Sequence, residues 1–191
     1  MNVGQIVNSA WTIPGLFHRR EAEFLCALAN RPGDKVELGC WMGRSTSIIL
    51  QAQAGLAGAL VSVDPFVAMP AGIERASAAK WRKHLTGLAL VPPLLLEMTS
   101  DKAAAAWTAP LSLLFIDGDH GYQAVAADLK NWARHVVVGG VVALHDMFFP
   151  SIPGVAQAVG EWWAGARDSN EAPRWRLAGL AEYLIAFERI K

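Results

Sequence analysis

Two short runs of the sequence end an apolar segment in groups that bind cations or move protons. Leu113 to Ile116 leads into Asp117-Gly118-Asp119-His120, and Val141 to Leu144 leads into His145-Asp146. An apolar run ending in polar groups describes a buried strand surfacing at its end, and in an open parallel sheet ligands bind beyond the carboxyl ends of the strands. If the two runs are neighbouring strands, Asp117 and Asp146 can share a divalent cation such as Mg²⁺, which takes oxygen ligands and keeps waters that substrate oxygens replace. Coordination lowers the pKa of a bound hydroxyl. An imidazole with an ordinary pKa near ~6.5 takes a hydroxyl proton at neutral pH, so His120 is a candidate general base. Asp119 reads equally as a further metal ligand or as a turn-former ahead of the helix that begins near Gly121. His145 adjoins Asp146 on an extended run, where successive side chains point oppositely, and is expected to face away from the site or sit at its rim. His18, His84 and His135 lack convergent partners and read as solvated surface histidines.

A second constellation lies upstream, in VELGCWMGRST from Val36 to Thr46. Glu37 falls inside an apolar run, Gly39 and Gly43 in the turn after it, and Ser45-Thr46 at a helix start. Glycines there let the backbone approach a ligand closely, and the free N–H groups of the helix attract an anionic group. Asp64 ends the next apolar run, where a carboxylate can accept hydrogen bonds from both hydroxyls of a ribose. The spacing Glu-x-Gly-x-x-x-Gly differs from the Gly-x-Gly-x-x-Gly of dinucleotide folds, and no Gly-Lys-Ser/Thr phosphate loop is present. In this order within a β-α-β unit, the groups point to a nucleoside-containing ligand. Trp41 either walls that pocket or caps the core.

These residues need a scaffold that brings strand ends together. Short β-like runs alternate with helical patterns, which argues for an α/β fold with a mostly parallel sheet covered by helices. Strands are expected over Lys35 to Cys40, Leu60 to Asp64, Leu94 to Met98, Leu111 to Ile116 and Val136 to Leu144. Gly139-Gly140 marks the true start of the last of these, leaving Val136 to Val138 to the preceding turn. Ser45 to Ala54 and Gly121 to Ala133 have helical periodicity, with Tyr122, Val125, Leu129 and Trp132 on one face. Residues 1–31, with a helix over Glu21 to Ala29, form a helical cover, and a further helix runs through Val159, Trp162 and Trp163. A polar stretch from Arg167 to Pro173 precedes Trp175 to Leu180 and Tyr183 to Ile190, which read as an antiparallel pair closing the sheet.

The 191 residues suit one domain over 1–191, and 53% apolar with 18% charged residues describes a packed globular chain. Lys plus Arg and Asp plus Glu both number 17, so no net field favours nucleic acid or an anionic membrane, and a small neutral or zwitterionic partner fits better. Cys26 and Cys40 sit in apolar runs as free thiols, no basic-then-apolar leader opens the chain, and no apolar run reaches about 18 residues. A cytoplasmic protein without a membrane partner is the expectation. Trp162-Trp163, if exposed, would pack a homodimer.

The glycine turn and Asp64 resemble motif I, and the acid after strand 2, of the class I S-adenosylmethionine-dependent methyltransferases. The resemblance implies a Rossmann-like, seven-stranded sheet with helices on both faces and an antiparallel C-terminal pair. It also implies that Glu37, Gly39, Gly43 and Ser45 line the methionine end of the donor, Asp64 holds its ribose, Phe66 packs on the adenine, and Ser100 and Asp101 meet the adenine edge. Phe115 to Met147 is similar to the family that includes macrocin-type sugar O-methyltransferases and cephalosporin-hydroxylase-like proteins. The metal-dependent catechol and caffeoyl-coenzyme A enzymes share its plan. By that likeness Asp117 and Asp146 are metal ligands and His120 stands in the place of the base. Met147 departs from the pattern, because it occupies the position of an Asn and a thioether suits a hard cation poorly. Either Asp119 or water completes the shell, or no metal binds. The implied activity is transfer of a methyl group from S-adenosylmethionine to a hydroxyl of a small molecule or sugar. The rivals are a non-catalytic donor-binding scaffold and a nicotinamide-dependent oxidoreductase, the latter disfavoured by Glu37 and the missing third glycine.

Overall fold

Short, nearly continuous apolar runs read as strands buried on both faces, and two of them, Leu111–Ile116 and the 140–144 end of the next, occupy the centre of the sheet. The computed structural model describes residues 2–67, 74–168 and 174–191. In chain order these form α1 (Val3–Ala10), α2 (Arg19–Ala29), β1 (Lys35–Leu38), α3 (Arg44–Ala52), β2 (Leu60–Val63), α4 (Ala78–Gly87) and β3 (Leu94–Leu96). They continue as α5 (Ser100–Ala106), β4 (Leu111–Ile116), α6 (Tyr122–Trp132), a 3₁₀ turn (Ala133–His135), β5 (Val136–Leu144), α7 (Gly154–Asp168), β6 (Trp175–Ala181) and β7 (Leu184–Arg189). The sheet runs β3-β2-β1-β4-β5-β7-β6. β1 to β5 are parallel, while β7 is antiparallel to both β5 and β6. This is the Rossmann-like, seven-stranded arrangement that the methyltransferase resemblance implies, with its order reversing between β1 and β4. At such a reversal the loops part to leave a crevice.

The two faces follow from the period-2 alternation of the central strands. Leu113, Phe115, Val141 and Ala143 point to a cluster filled by α1, α2 and α3. Leu114, Ile116, Val142 and Leu144 point to the opposite cluster, filled by α5, α6 and α7. A third cluster packs Trp81 and Leu85 of α4 against Ile13, Cys40 and Met42, directly under the glycine turn.

Three details differ from expectation. β5 starts at Val136, which pairs with Leu111 before the register shifts. Gly139, at φ +80°, is therefore part of a bulge within the strand, and Val136 to Val138 do not belong to the turn before it. Trp162 and Trp163 are half-buried, not exposed: their rings pack on Phe187 at 5.5 and 5.2 Å, and Trp162 also meets Trp175 at 5.1 Å. Helices α1, α4 and α5 were not foreseen. α1 opens on a reciprocal capping box between Asn2 and Gln5, and α4 on the hydroxyl of Ser77, which accepts the Lys80 N–H. Among the described residues no helix is long and apolar enough to cross a membrane.

Candidate functional site

The glycine turn after β1 is built for close approach. Gly39 has φ +83°, and a Cβ there would lie 2.1 Å from the carbonyl oxygen of Asp117, so only glycine lets the ends of β1 and β4 meet. Gly43, at φ +98°, caps α3 over the Trp81 ring. Asp64 locks the turn from the next strand. Its Oδ2 accepts the N–H groups of Cys40 and Trp41, each at 2.9 Å, and its Oδ1 accepts the Phe66 N–H at 2.7 Å. Trp41 and Phe66 both adopt left-handed backbone, at φ +39° and +48°, a strain typical of ligand clamps. His84 braces the turn as well, its Nδ1 lying 2.9 Å from the Met42 carbonyl, so it is not a free surface histidine. His18 is exposed and His135 half-buried.

Beneath the turn, Glu37 is fully buried. The hydroxyls of Thr46 and Ser62 donate to its Oε2 at 2.7 and 2.8 Å, while Oε1 is buried with no partner. Burial, opposed by these hydroxyls and that of Ser45, pushes the carboxyl up to about 7. An unpaired buried oxygen of this kind is an acceptor awaiting a ligand cation or water. Phe66 lines an open cavity of about 340 Å³ with Arg75, Ser77, Lys80 and Glu97. Ser100 and Asp101, at the start of α5, turn their side chains to α6: the Ser100 hydroxyl donates to Asp128, and Asn131 donates to Asp101 at 3.2 Å.

At the ends of β4 and β5 the structure gathers Asp117, His120 and Asp146. Nε2 of His120 lies 3.0 Å from Oδ2 of Asp146 and 3.8 Å from Oδ1 of Asp117. α7 holds this loop from behind, where a Cβ on Gly154 would meet the Tyr122 nitrogen at 2.6 Å and the His120 carbonyl at 3.0 Å.

His145 joins the cluster, contrary to the alternation expected of an extended run. Asp146 adopts φ +60°, and that left-handed residue breaks the alternation, so both side chains face the same group. Nδ1 of His145 lies 3.2 Å from Oδ1 of Asp117 and 3.3 Å from Oδ2 of Asp146, and Nε2 lies 3.2 Å from Oε2 of Glu21. Phe17 stacks on the ring at 4.4 Å, with 9° between planes. Glu21 and His145 are thus members that sequence reading missed. Adjacency to Asp146 was the available signal for His145. Glu21 reads locally as a helix-capping residue, and its second role depends on a partner 124 positions away.

The electrostatics follow from this packing. Burial favours neutral acids, yet the imidazoles outweigh it and hold Asp117 and Asp146 below the usual carboxylate range. The carboxylates of Asp117 and then Asp146 push His120 up to about 9. For His145 burial works the other way, but Asp117, Asp146 and Glu21 overcome it and raise the ring to about 12. His120 is therefore protonated at neutral pH when only the protein surrounds it, unlike the unperturbed imidazole expected from sequence.

The residues present fit a hard divalent cation. One ligand atom from each of Asp117, His120 and Asp146 lies within 4.8 Å of the others. Nε2 of His120 is buried beside both carboxylates, placed to exchange a proton with an oxygen held there. Asp119 stands apart, exposed, its Oδ1 accepting the Gly121 N–H at 2.8 Å in the turn ahead of α6. Met147 has no place in the shell, because its side chain is buried in the α5–α7 core and its N–H donates to the Tyr183 carbonyl.

A glycine turn at the reversal of this sheet, with an acid cluster one strand over, defines a class I, S-adenosylmethionine-dependent methyltransferase. A family model described as a methyltransferase domain matches residues 36–147, more than half of the chain, and the chain belongs to that family. Among solved structures, the O-methyltransferase NovP aligns with TM-score 0.70 at 21% identity, over 91% of this chain and 81% of its own. The Podospora anserina methyltransferase PaMTH1, solved with S-adenosylhomocysteine bound, aligns with TM-score 0.71 at 14% identity, over 98% and 87%. CalS11, a TDP-rhamnose 3'-O-methyltransferase of calicheamicin biosynthesis, aligns with TM-score 0.62 at 17% identity, over 88% and 77%. At these identities the likeness is one of fold.

Proposed function

We propose that this methyltransferase acts on a hydroxyl oxygen of a small molecule or sugar, with a divalent cation held by Asp117 and Asp146. The observation that carries the reading is the contact of Gly39 with Asp117: it makes the donor turn and the acid cluster two walls of one crevice. On the donor side, the free Oε1 of Glu37 suits the ammonium of the methionine moiety, and Asp64, with lone pairs to spare beyond its three backbone bonds, suits the ribose. Gly39, Gly43 and Ser45 shape the turn between them, and Phe66 offers an apolar face for the adenine. Ser100 and Asp101 stand at the start of α5, where the Ser100 hydroxyl is taken up by Asp128 while the exposed Asp101 carboxylate keeps lone pairs for the adenine edge. PaMTH1 holds S-adenosylhomocysteine on this fold, and NovP and CalS11 are O-methyltransferases, which agrees with the assignment.

A bound divalent cation would supply Lewis acidity, lowering the pKa of the acceptor hydroxyl. His120 takes that proton. Its raised pKa is caused by the two carboxylates, and once their charge is neutralised the imidazole is free to accept. The oxygen then attacks the methyl carbon, whose bond to the donor sulfonium breaks, leaving S-adenosylhomocysteine. Alignment of the two reactants supplies most of the gain. Equal numbers of acidic and basic residues favour a small acceptor over nucleic acid. Isotope transfer from labelled S-adenosylmethionine to a panel of phenols, sugars and carboxylic acids, with Mg²⁺ and with EDTA, tests the reading. Metal-dependent labelling of hydroxyl compounds is expected. Donor binding without transfer to any member would favour the non-catalytic scaffold.

A further inference from the structure

Glu21 is a fully buried carboxylate aimed at the acid cluster from the side away from the crevice. It ties three distant segments together. Its Oε2 accepts the His18 N–H at 2.6 Å and lies 3.2 Å from Nε2 of His145, and its Oε1 accepts the Tyr183 N–H at 2.9 Å. The start of α2, the end of β5 and the turn between β6 and β7 therefore meet at one side chain. The His145 ring is held at Nε2 by Glu21, at Nδ1 by the oxygens of Asp117 and Asp146, and on its face by Phe17. The oxygens it spans belong to two like-charged groups, Asp117 and Asp146, which Nε2 of His120 bridges from the other side at 3.8 and 3.0 Å.

We propose that Glu21 is a positioning residue: acting through His145, it sets the separation and orientation of Asp117 and Asp146, and thereby the affinity of the cluster for a divalent cation. The proposal rests on reading the cluster as a metal site. The helical cover then has a function beyond shielding apolar surface, because it carries the anchor for a cluster whose members come from the second half of the chain. A group that orients metal ligands from behind is typically worth ~10–100-fold in metal affinity.

The test titrates Mn²⁺ into the full-length protein, following free Mn²⁺ by electron paramagnetic resonance, with S-adenosylhomocysteine binding measured in parallel by calorimetry. Glu21→Gln is expected to weaken Mn²⁺ binding by ~10–100-fold and to leave S-adenosylhomocysteine affinity within about twofold. Because Glu21 acts through His145, the double variant Glu21→Gln/His145→Asn should bind Mn²⁺ no worse than His145→Asn alone. Additive losses, or unchanged Mn²⁺ affinity in Glu21→Gln, would overturn the proposal while leaving the metal site in place. A wild-type protein that takes up no Mn²⁺ would overturn the metal reading, and the proposal with it. If Glu21→Gln does not fold, Phe17→Leu frees the face of His145 without touching the Glu21 bonds. A several-fold loss of Mn²⁺ affinity is then expected, and an unchanged one counts against the proposal.

Discussion

The donor turn and the acid cluster both concentrate carboxylates at strand ends, yet they stabilise them in opposite ways. Around Asp64 and Glu37 every partner is neutral: backbone N–H groups for the first, hydroxyls for the second. Around Asp117 and Asp146 the partners are imidazoles driven to carry charge. Neutral donors fix a carboxylate in place without cancelling its charge, which stays available to a cationic or hydroxyl-bearing ligand. Charged partners cancel it, so the acid cluster is balanced internally until a cation competes for the same oxygens. The first region is preorganised for its ligand, whereas in the second a cation must take the place of the His120 charge while His145 stays anchored by Glu21.

The sharpest way to break this comparison is to remove the cation from the second region alone. Chelation should abolish turnover and leave S-adenosylhomocysteine binding by calorimetry intact, with Mg²⁺ or Mn²⁺ restoring the rate. His120→Ala in the presence of metal should cost ~10²–10⁴ in rate, the usual worth of a general base. Full activity after exhaustive dialysis against EDTA would mean that the imidazoles alone govern the carboxylates. Full activity in His120→Ala would reduce the ring to a ligand or a loop anchor.

The first region can be tested through pH. Glu37 has its pKa raised from 4.5 to about 7 in the folded protein. The folded state therefore holds that proton more tightly than the unfolded chain. This contribution to stability is full below pH 4.5 and is lost as pH rises through 7. Glu37→Gln removes the ionisation while its amide oxygen can still accept from Thr46 and Ser62. The variant should gain about 3 kcal/mol over the parent between pH 4.5 and pH 8 in denaturant melts of the ligand-free protein. Donor affinity should fall at the same time, as expected where stability is traded for a binding group. A stability difference that stays flat with pH would show that Oε1 has found a partner.

How much of this was legible from sequence divides along the same line. The donor turn was readable because its groups are local: Glu37, Gly39, Gly43 and Asp64 act within one β-α-β unit, and their spacing carries the geometry. The strands were readable for a similar reason, since Leu111–Ile116 and residues 140–144 are apolar and buried, whereas the exposed start of β5, with Val137 and Val138 open to solvent, read as a turn. The acid cluster was only half readable. Asp117, His120 and Asp146 stand at strand ends, but the left-handed backbone at Asp146 that brings it beside His145 is only weakly marked in sequence, Asp being merely enriched in that conformation. Glu21 is set by tertiary packing alone. Helices α4 and α5 escaped because their apolar faces are short: α4 buries only Ala78, Trp81 and Leu85, and α5 only Ala103 and Ala104.

Asp64→Ala bears on the claim that neutral donors preorganise the turn. The substitution removes three accepted hydrogen bonds from Cys40, Trp41 and Phe66 as well as the bonds proposed to the ribose. S-adenosylhomocysteine affinity should drop by ~1–3 kcal/mol, and the loss should be smaller for a donor analogue lacking the ribose hydroxyls. An equal loss for both would assign Asp64 wholly to holding the turn.

The smallest effect belongs to Asp119, which lies between two members of the cluster in sequence but is not grouped with their ligand atoms. Its carboxylate is exposed and engaged by the Gly121 N–H, so its removal should cost only a local turn bond, about 0.5–1.5 kcal/mol in a denaturant melt. Mn²⁺ affinity of Asp119→Ala should stay within about twofold of the parent, because Asp117, His120 and Asp146 are untouched. Asp119→Asn should lose less stability than Asp119→Ala, since the amide oxygen can still accept from Gly121 and the turn does not require charge. A tenfold loss of Mn²⁺ in both variants would place Asp119 among the ligands and would mean that its loop rearranges around the cation. In that event the acid cluster would be assembled by its ligand, in full contrast to a donor turn that is already in place.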